Sequence, residues 1–546
     1  MGGRSGYEFF ETDSNYLYTI CQWFPRMAMY NDVYGWQNKQ FLGRGEFTLD
    51  FGDYDVRITV PADHIVASTG ELQNMMEVLT KEQIDRYKKS RSASSPMIII
   101  SQDEAIINEK SRSKKVKTWR YKAKNVRDFA FTSSRKFIWD AMGVKLGDRT
   151  VMAMSYYPKE ANPLYERYST RAVAHTLNVY SKYTFDYPYP VAISVEAANG
   201  MEYPMICFNY GRPQKDGTYS ERIKYGMISV IIHEVGHNYF PMIVNSDERQ
   251  WTWMDEGLNS YLQFLAEQEW DRDYPSWRGP AKNIVYYMKS DKKNLMPIMT
   301  NSESIYQFSA NAYGKPATAL NILRETIVGR ELFDFAFKEY SKTWMFKHPT
   351  PSDFFRILEN ASAVDLDWFW RGWFYSTDPV DISIDEVKWY TLDTKNPEIE
   401  FPLRKLDKEN EPTQSWKEKN RTEIQETIVE MDEEANDFYN KYDPYEVTML
   451  DIDDFIKYRD SSVVEPQEKR IYNSNLNYYE IKFSNVGGLV MPVILELQYE
   501  DSTNYIIKIP AEIWRKNRDQ ITTVFATKKL VKSFNLDPQL ETADIN

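Results

Sequence analysis

The segment 231–262 constrains this chain more than any other stretch. It contains His233 and His237, four positions apart, with Glu234 directly after the first histidine. Residues four apart lie on the same face of an α-helix, so both imidazoles would point to one place. The apolar run 226–232 that precedes them predicts that this helix is buried in a core.

A second carboxylate completes a metal-binding pattern. Glu256 follows His237 by nineteen positions, enough for one helix to end, the chain to turn and a second helix to begin. Apolar residues then recur at the spacing of a second buried helix, at Leu258, Tyr261, Leu262 and Leu265. Two imidazoles and a carboxylate form a three-ligand zinc set whose open fourth position is typical of catalytic sites. The less specific alternative is a buried helix whose histidines make hydrogen bonds in the core.

Composition indicates a large globular protein. The chain has 546 residues, of which 42% are hydrophobic and 27% charged, and this length favours two to four domains. The net charge of -13 argues against a nucleic-acid partner. We find no signal peptide and no apolar run of the roughly 18 residues that a membrane span needs. Cys21 and Cys207 are expected to be buried thiols or, alternatively, one disulfide.

Changes in periodicity predict an α+β multidomain fold with four regions. Residues 1–157 indicate a β-rich N-terminal domain that begins partway, without its first strands. Residues 158–378 are mainly helical, and residues 379–470 are expected to form a strand and a charged helical connector. Residues 471–546 alternate like the strands of a small β-sandwich-like domain.

Two local patterns predict further strands, and one histidine is expected to have no catalytic role. Polar and apolar residues alternate over residues 46–51 and 398–406, a pattern that predicts strands. His175 lies within a helical pattern, and we interpret it as a packing residue.

The chain resembles the aminopeptidase N family of zinc metallopeptidases, the gluzincins with the pattern H-E-x-x-H-x18-E. Besides the zinc set, Gly200-Met201-Glu202 matches the G-x-M-E-N exopeptidase motif of that family. Tyr313-x-Lys315 matches its catalytic tyrosine motif, and all three motifs occur in the family's order. Without the resemblance, Glu202 could equally be a solvated carboxylate and Tyr313 a packed tyrosine.

The resemblance covers about residues 1–378. Within the family, the chain is most like the bacterial members that have a β-rich C-terminal tail. The chain departs from the exopeptidase motif at Asn199 and Tyr203, where the family has glycine and asparagine. It also lacks the long α-solenoid of many members. Similar bacterial proteins suggest a cell-envelope, periplasmic or secreted location, although no residue of this chain shows it.

The resemblance implies a thermolysin-like, mainly α-helical catalytic domain with one zinc ion per chain, held by His233, His237 and Glu256. Glu234 would be the general base and later a proton shuttle, aided by the zinc ion, which lowers the pKa of bound water toward about 7. Tyr313 would donate a hydrogen bond to the oxyanion that forms during hydrolysis.

The same resemblance implies how a substrate would bind. Glu202 would hold the free α-amine of a peptide, and Gly200 and Met201 would present their backbone to it. Our leading hypothesis is therefore a zinc aminopeptidase acting on peptides with a free N-terminus. The alternatives are a gluzincin endopeptidase or another zinc hydrolase, and a non-catalytic binding protein with a peptidase fold.

Overall fold

The computed structural model describes residues 5–198, 200–461, 465, 467 and 476–546. It is a mixed α/β protein with a β-rich N-terminal region, a helical middle and C-terminal β-sheets. Its strands are β1 (Gly6–Phe10), β2 (Asn15–Ile20), β3 (Met29–Asn31), β4 (Gly35–Gln37), β5 (Gly52–Pro61), β6 (Ile65–Ser68), β7 (Glu71–Leu72), β8 (Met97–Ile100), β9 (Val116–Val126), β10 (Phe131–Ser134), β11 (Ile138–Leu146), β12 (Arg149–Tyr157), β13 (Val191–Glu196), β14 (Met201–Tyr203), β15 (Ile206–Asn209), β16 (Ile382–Thr391), β17 (Asn477–Asn485), β18 (Val493–Tyr499), β19 (Asn504–Ile509), β20 (Gln520–Thr527) and β21 (Val531–Leu536).

Its helices are α1 (Met75–Val78), α2 (Lys81–Ser90), α3 (Gln102–Ser111), α4 (Leu164–Tyr183), α5 (Glu221–Gly236), α6 (Glu256–Trp270), α7 (Val285–Met288), α8 (Lys315–Ile322), α9 (Arg330–Thr343), α10 (Pro351–Ser362), α11 (Asp367–Tyr375), α12 (Pro397–Asn410), α13 (Ser415–Glu423), α14 (Ile428–Met431), α15 (Phe438–Lys441) and α16 (Met449–Asp460). Among the described residues, none of these helices is both long and apolar enough to cross a bilayer.

The N-terminal region contains an antiparallel sheet of order β1-β2-β10-β6 and a second sheet of order β5-β9-β7. The prediction of a strand at residues 46–51 is wrong, because this segment is irregular. Its polar groups bond across to the helical middle instead of to a neighbouring strand. The backbone N–H of Phe47 donates to Glu248 Oε2 at 3.0 Å.

A six-stranded mixed sheet of order β14-β15-β13-β12-β11-β8 supports the helical middle. β12, β13 and β15 run parallel to one another, whereas the edge strand β14 is antiparallel to β15. The predicted domain limit at residue 157 falls between β12 and β13, neighbouring strands of this sheet. The four predicted regions stay a prediction. The sheet matters for function because its edge strand carries Glu202.

Helices α4, α5 and α6 pack against one another beside this sheet. Ser220 caps α5 by accepting a hydrogen bond from the N–H of Ile223 at 3.3 Å. Near the other end of α5, a Cβ at Gly236 would overlap the Tyr180 hydroxyl and the Asn259 side chain. The absence of a side chain at Gly236 therefore lets the three helices approach closely where the two histidines lie.

The C-terminal region contains sheets of order β16-β17-β20 and β19-β18-β21. The prediction of a strand at residues 398–406 is wrong, because these residues lie in α12. Pro397 occupies its first turn, and the Asn396 side chain accepts a hydrogen bond from the N–H of Glu398 at 3.1 Å. Both features are ordinary helix-start signals, and they outweigh the apparent alternation.

The structure also tests the predictions for His175, which is half-buried, and for the two cysteines. His175 Nε2 is 2.8 Å from the carbonyl oxygen of Ala266, which agrees with its interpretation as a packing residue. Cys21 and Cys207 are both buried and free, so the thiol alternative is correct and the disulfide alternative is wrong.

Candidate active site

Helices α5 and α6 bring the three predicted metal ligands to one point. His233 Nε2 lies 3.1 Å from His237 Nε2 and 3.0 Å from Glu256 Oε2. His237 Nε2 lies 3.2 Å from the same carboxylate oxygen. All three side chains are buried. Glu256 opens α6, so nineteen residues of separation in the chain become direct contact in space.

These separations fit a zinc ion. Ligand bonds of about 2.0–2.1 Å in a tetrahedral site hold neighbouring ligand atoms about 3.3–3.4 Å apart. The three measured separations, 3.0, 3.1 and 3.2 Å, are close to that value. Two imidazoles and one carboxylate are also the donor types that zinc prefers at catalytic sites.

Neighbouring groups orient both imidazoles. His233 Nδ1 is 2.9 Å from Gln263 Oε1, and His237 Nδ1 is 2.9 Å from the Phe240 carbonyl oxygen. Asp255 Oδ1 also lies 2.9 Å from His237 Nδ1. Acceptors at Nδ1 favour the tautomer with its proton there, which leaves the Nε2 lone pairs directed at the common point. This is the arrangement that metal binding requires.

Glu202 and Glu234 form a second group with His237. Ligand atoms of the three side chains lie within 4.8 Å of one another, and all three are buried. Burial, and then the charge of Glu202, raises the pKa of Glu234 well above its ordinary value. Gly200 lies against this group, because a Cβ there would be 2.5 Å from Glu234 Oε1. A side chain at Gly200 would therefore displace Glu234.

The site holds more acidic than basic groups. Its buried carboxylates are Glu202, Glu234, Asp255 and Glu256. Although burial disfavours a charged imidazole, the charges of Glu202, Asp255 and Glu256 raise the pKa of His237 well above its ordinary value. Burial and then the charge of His237 lower the pKa of His233 to about 4. A dication at the common point would stabilise the ionised form of these buried acids.

Tyr313 lies in a π-helical turn, Ser309–Gly314, that leads directly into α8. Its hydroxyl donates to Glu256 Oε1 at 2.6 Å, and its ring centroid is 5.7 Å from that of His233. Burial and the charge of Glu256 raise the pKa of Tyr313 well above its ordinary value, so the phenol keeps its proton at neutral pH. Tyr313 is therefore a hydrogen-bond donor beside the metal ligands.

The remaining motif residues lie around this centre. Met201 is buried on β14, and alternation along that strand places Tyr203 on the face opposite Glu202. Asn199 lies outside the described residues. Lys315 is buried, and its ammonium group donates to the Ser376 carbonyl oxygen at 3.2 Å, at the end of α11. Lys315 thus anchors the start of α8 and does not reach the metal ligands.

Sequence reasoning missed three residues around the centre: Gln263, Asp255 and Arg278. Gln263 follows Glu256 by seven positions, two helical turns, so the periodicity of α6 could have identified it. Asp255 adjoins a predicted ligand. Arg278, whose guanidinium carbon is 4.3 Å from the Tyr313 ring centroid, lies in a loop and gave no sequence signal.

The part of the chain that contains the candidate site is similar to known proteins. Residues 168–373 match the family described as "Peptidase family M1 domain". A glutamyl aminopeptidase of Sus scrofa is 29% identical over 148 residues, which are 25% of this chain and 15% of that protein. A probable aminopeptidase 1 of Sulfurisphaera tokodaii is 25% identical over 235 residues, which are 39% of this chain and 29% of that protein. The aligned regions thus span less than a third of these relatives.

A solved structure extends the similarity to the whole fold. Aminopeptidase A of Legionella pneumophila, in complex with aspartic acid, has a TM-score of 0.55. The match covers 99% of this chain and 48% of that one at 11% sequence identity, so it shows a shared fold. The match of the family domain to residues 168–373 confirms the resemblance predicted from the motifs.

Proposed function

Because residues 168–373 match the peptidase family M1 domain, we propose that the chain is a zinc-dependent aminopeptidase. It would remove residues from the N-terminus of peptides. We also propose that residues 158–378 form the thermolysin-like catalytic domain that the resemblance implies. His233, His237 and Glu256 would hold the zinc ion, which when bound supplies a Lewis acid that activates water and polarises a carbonyl group.

The observation that carries this proposal is the position of Glu202. Its carboxylate lies beside His237 and Glu234 but outside the set of three convergent ligands. A buried carboxylate needs a cationic partner, and the α-ammonium group of a peptide provides one. With its ammonium group held there, a peptide has its first carbonyl carbon two bonds farther on. That distance favours cleavage after the first residue.

Two further side chains would act on the scissile bond. Glu234 would accept a proton from the attacking water and later deliver it to the leaving amine. The raised pKa of this buried carboxyl favours such a proton-transfer role. Tyr313 would donate its hydroxyl proton in a hydrogen bond to the oxygen that becomes negative as the carbonyl is attacked. Its bond to Glu256 keeps the hydroxyl beside the metal ligands.

The proposal is tested with one neutral pentapeptide, prepared with a free and with an acetylated N-terminus. The purified, zinc-loaded chain is incubated with each, with and without a zinc chelator, and the products are identified by mass spectrometry. We expect stepwise loss of N-terminal residues from the free peptide alone, abolished by the chelator. Equal cleavage of both peptides would indicate an endopeptidase. Absence of both cleavage and bound zinc would indicate a non-catalytic protein.

A further inference from the structure

Arg278 is a cation at the edge of the site that the proposed reaction does not use. Its guanidinium carbon lies 4.3 Å from the centroid of the Tyr313 ring, a distance typical of a cation–π contact. The hydroxyl on that ring bonds the metal ligand Glu256. The guanidinium group is therefore separated from the reacting groups by one aromatic ring.

The loop that carries Arg278 is held in place. Gly279 adopts a φ of +102°, and a Cβ there would overlap the ring of Phe264. The Gly279 carbonyl oxygen accepts a hydrogen bond from Asn321 Nδ2 at 3.1 Å. Asn283 Nδ2 donates to the Ser276 carbonyl oxygen at 3.1 Å. Contacts on both sides thus fix the backbone that presents the guanidinium group.

Arg278 has unused hydrogen-bonding capacity. Its one hydrogen bond among the described residues goes to Ser309 Oγ, at the long distance of 3.4 Å. No carboxylate oxygen of the described part of the chain lies within 4.0 Å of the guanidinium group, although the site has an excess of carboxylates nearby. A guanidinium has five N–H donors in a planar fork that matches a carboxylate.

We propose that Arg278 binds a carboxylate of the peptide substrate and so selects peptides with a negative charge close to the scissile bond. This inference rests on the proposed function. An extended peptide advances at most about 3.3–3.6 Å per residue, so a group one or two residues from the cleaved bond spans the width of one aromatic ring. The carboxylate is an acidic side chain or, in a very short peptide, the free C-terminus.

Four tripeptide probes separate these sources: Ala-Ala-Ala with a free C-terminus, its amide, and the amides of Glu-Ala-Ala and Ala-Glu-Ala. kcat/KM is measured for each with zinc-loaded wild type, Arg278→Gln and Arg278→Lys. We expect wild type to prefer at least one carboxylate peptide over the neutral amide by about 10- to 100-fold. Arg278→Gln should bring that ratio close to one, and Arg278→Lys should keep part of it.

Arg272→Gln is the matched control. This exposed arginine lies six positions earlier, outside the site, and its replacement should leave the ratio unchanged. If Arg278 acted only by supporting Tyr313, Arg278→Gln would slow cleavage of all four peptides equally. An unchanged ratio in Arg278→Gln, or no preference in wild type, would overturn the inference.

Measuring peptide binding without cleavage tests the role of Arg278 independently of the proposed aminopeptidase activity. Calorimetric affinities for Ala-Ala-Ala, the two Glu-containing amides and the neutral amide are measured with zinc-loaded Glu234→Gln, with and without Arg278→Gln. A preference for a carboxylate peptide that disappears with Arg278 supports the inference even if wild type cleaves none of the probes. Cleavage without any preference would support the aminopeptidase and exclude this role of Arg278.

Discussion

The metal-binding half of the candidate site lies on two regular helices, α5 and α6, whereas the half that we propose binds the peptide is assembled from an edge strand, a π-helical turn and a loop. In the metal-binding half, both imidazoles have an acceptor at Nδ1. Where the two halves meet, Glu234 Oε2 on α5 has no hydrogen-bond partner among the described residues, and in the other half Arg278 makes one long hydrogen bond.

This difference teaches where a substrate would bind. Buried polar groups in folded proteins are nearly always paired, so an unpaired one beside a metal-binding group is a suitable partner for a bound ligand. The metal-binding half needs one ion to be complete. The other half adjoins the unpaired Glu234 oxygen and contains an arginine with free donors, which would suit the water and the carboxylate of a hydrolysed peptide. The following variants affect the two halves separately.

Replacing His237 should have the largest effect, because it destroys the metal-binding half. His237→Ala should reduce bound zinc from about one per chain to less than about a tenth, and activity should become undetectable. Metal content is measured by elemental analysis after gel filtration. His175→Ala, which changes a histidine outside the site, should retain its zinc. Full zinc binding by His237→Ala would show that the ligand set is misassigned.

Glu234 lies where the two halves meet, and its replacement should separate binding from chemistry. Glu234→Gln keeps the size of the side chain but removes the proposed base, so kcat should fall by about 10²- to 10⁴-fold while zinc content stays the same. Steady-state kinetics and metal analysis of one preparation check both expectations. A variant with nearly normal kcat would rule out Glu234 as the base.

Tyr313 belongs to the peptide-binding half but touches a metal ligand. Tyr313→Phe removes the proposed donor to the developing oxyanion, and kcat should fall by about 10²- to 10³-fold with little change in zinc content. The control is Tyr261→Phe, which removes the buried hydroxyl of a different tyrosine, on α6. It should leave kcat within about twofold of wild type. If both variants behaved alike, the Tyr313 hydroxyl would have no special role.

Replacing Gln263 should weaken the metal-binding half without removing a ligand. Gln263→Ala removes the acceptor at His233 Nδ1, and zinc affinity should fall by about 10- to 100-fold. Competition with a chelator of known affinity measures this loss. Gln268→Ala, on the same helix but bonded to Ser276, should bind zinc like wild type. Equal affinity in Gln263→Ala would mean that the glutamine does not orient His233.

The metal-binding half was predictable because its signal is local. A four-residue spacing defines a helix face whatever surrounds it, so His233 and His237 could be paired from the sequence alone. Glu202 and Tyr313 could be proposed only through the family resemblance, because tertiary packing brings an edge strand and a π-helical turn to the same place. Arg278 was not predictable, since a loop has no periodicity that would direct a side chain.

The contrast between local signals and distant contacts also explains two wrong strand predictions. Residues 46–51 have an alternating pattern, but Glu248 of the helical middle takes the N–H group of Phe47 that a strand would have paired. Residues 398–406 also alternate, but Asn396 and Pro397 before them are start signals of a helix, and the segment lies in α12. At residues 46–51 a contact with a distant residue decides the structure. At residues 398–406 the local helix-start signals decide it, and they are stronger evidence than the alternating pattern.

The most direct test of the account is the amine-binding role of Glu202. kcat/KM is measured for one peptide with a free and with an acetylated N-terminus, using wild type and Glu202→Gln with equal zinc content. We expect wild type to cleave the free peptide alone, and Glu202→Gln to cleave it about 10- to 100-fold more slowly. A Glu202→Gln variant that cleaves the free peptide as fast as wild type would contradict the account.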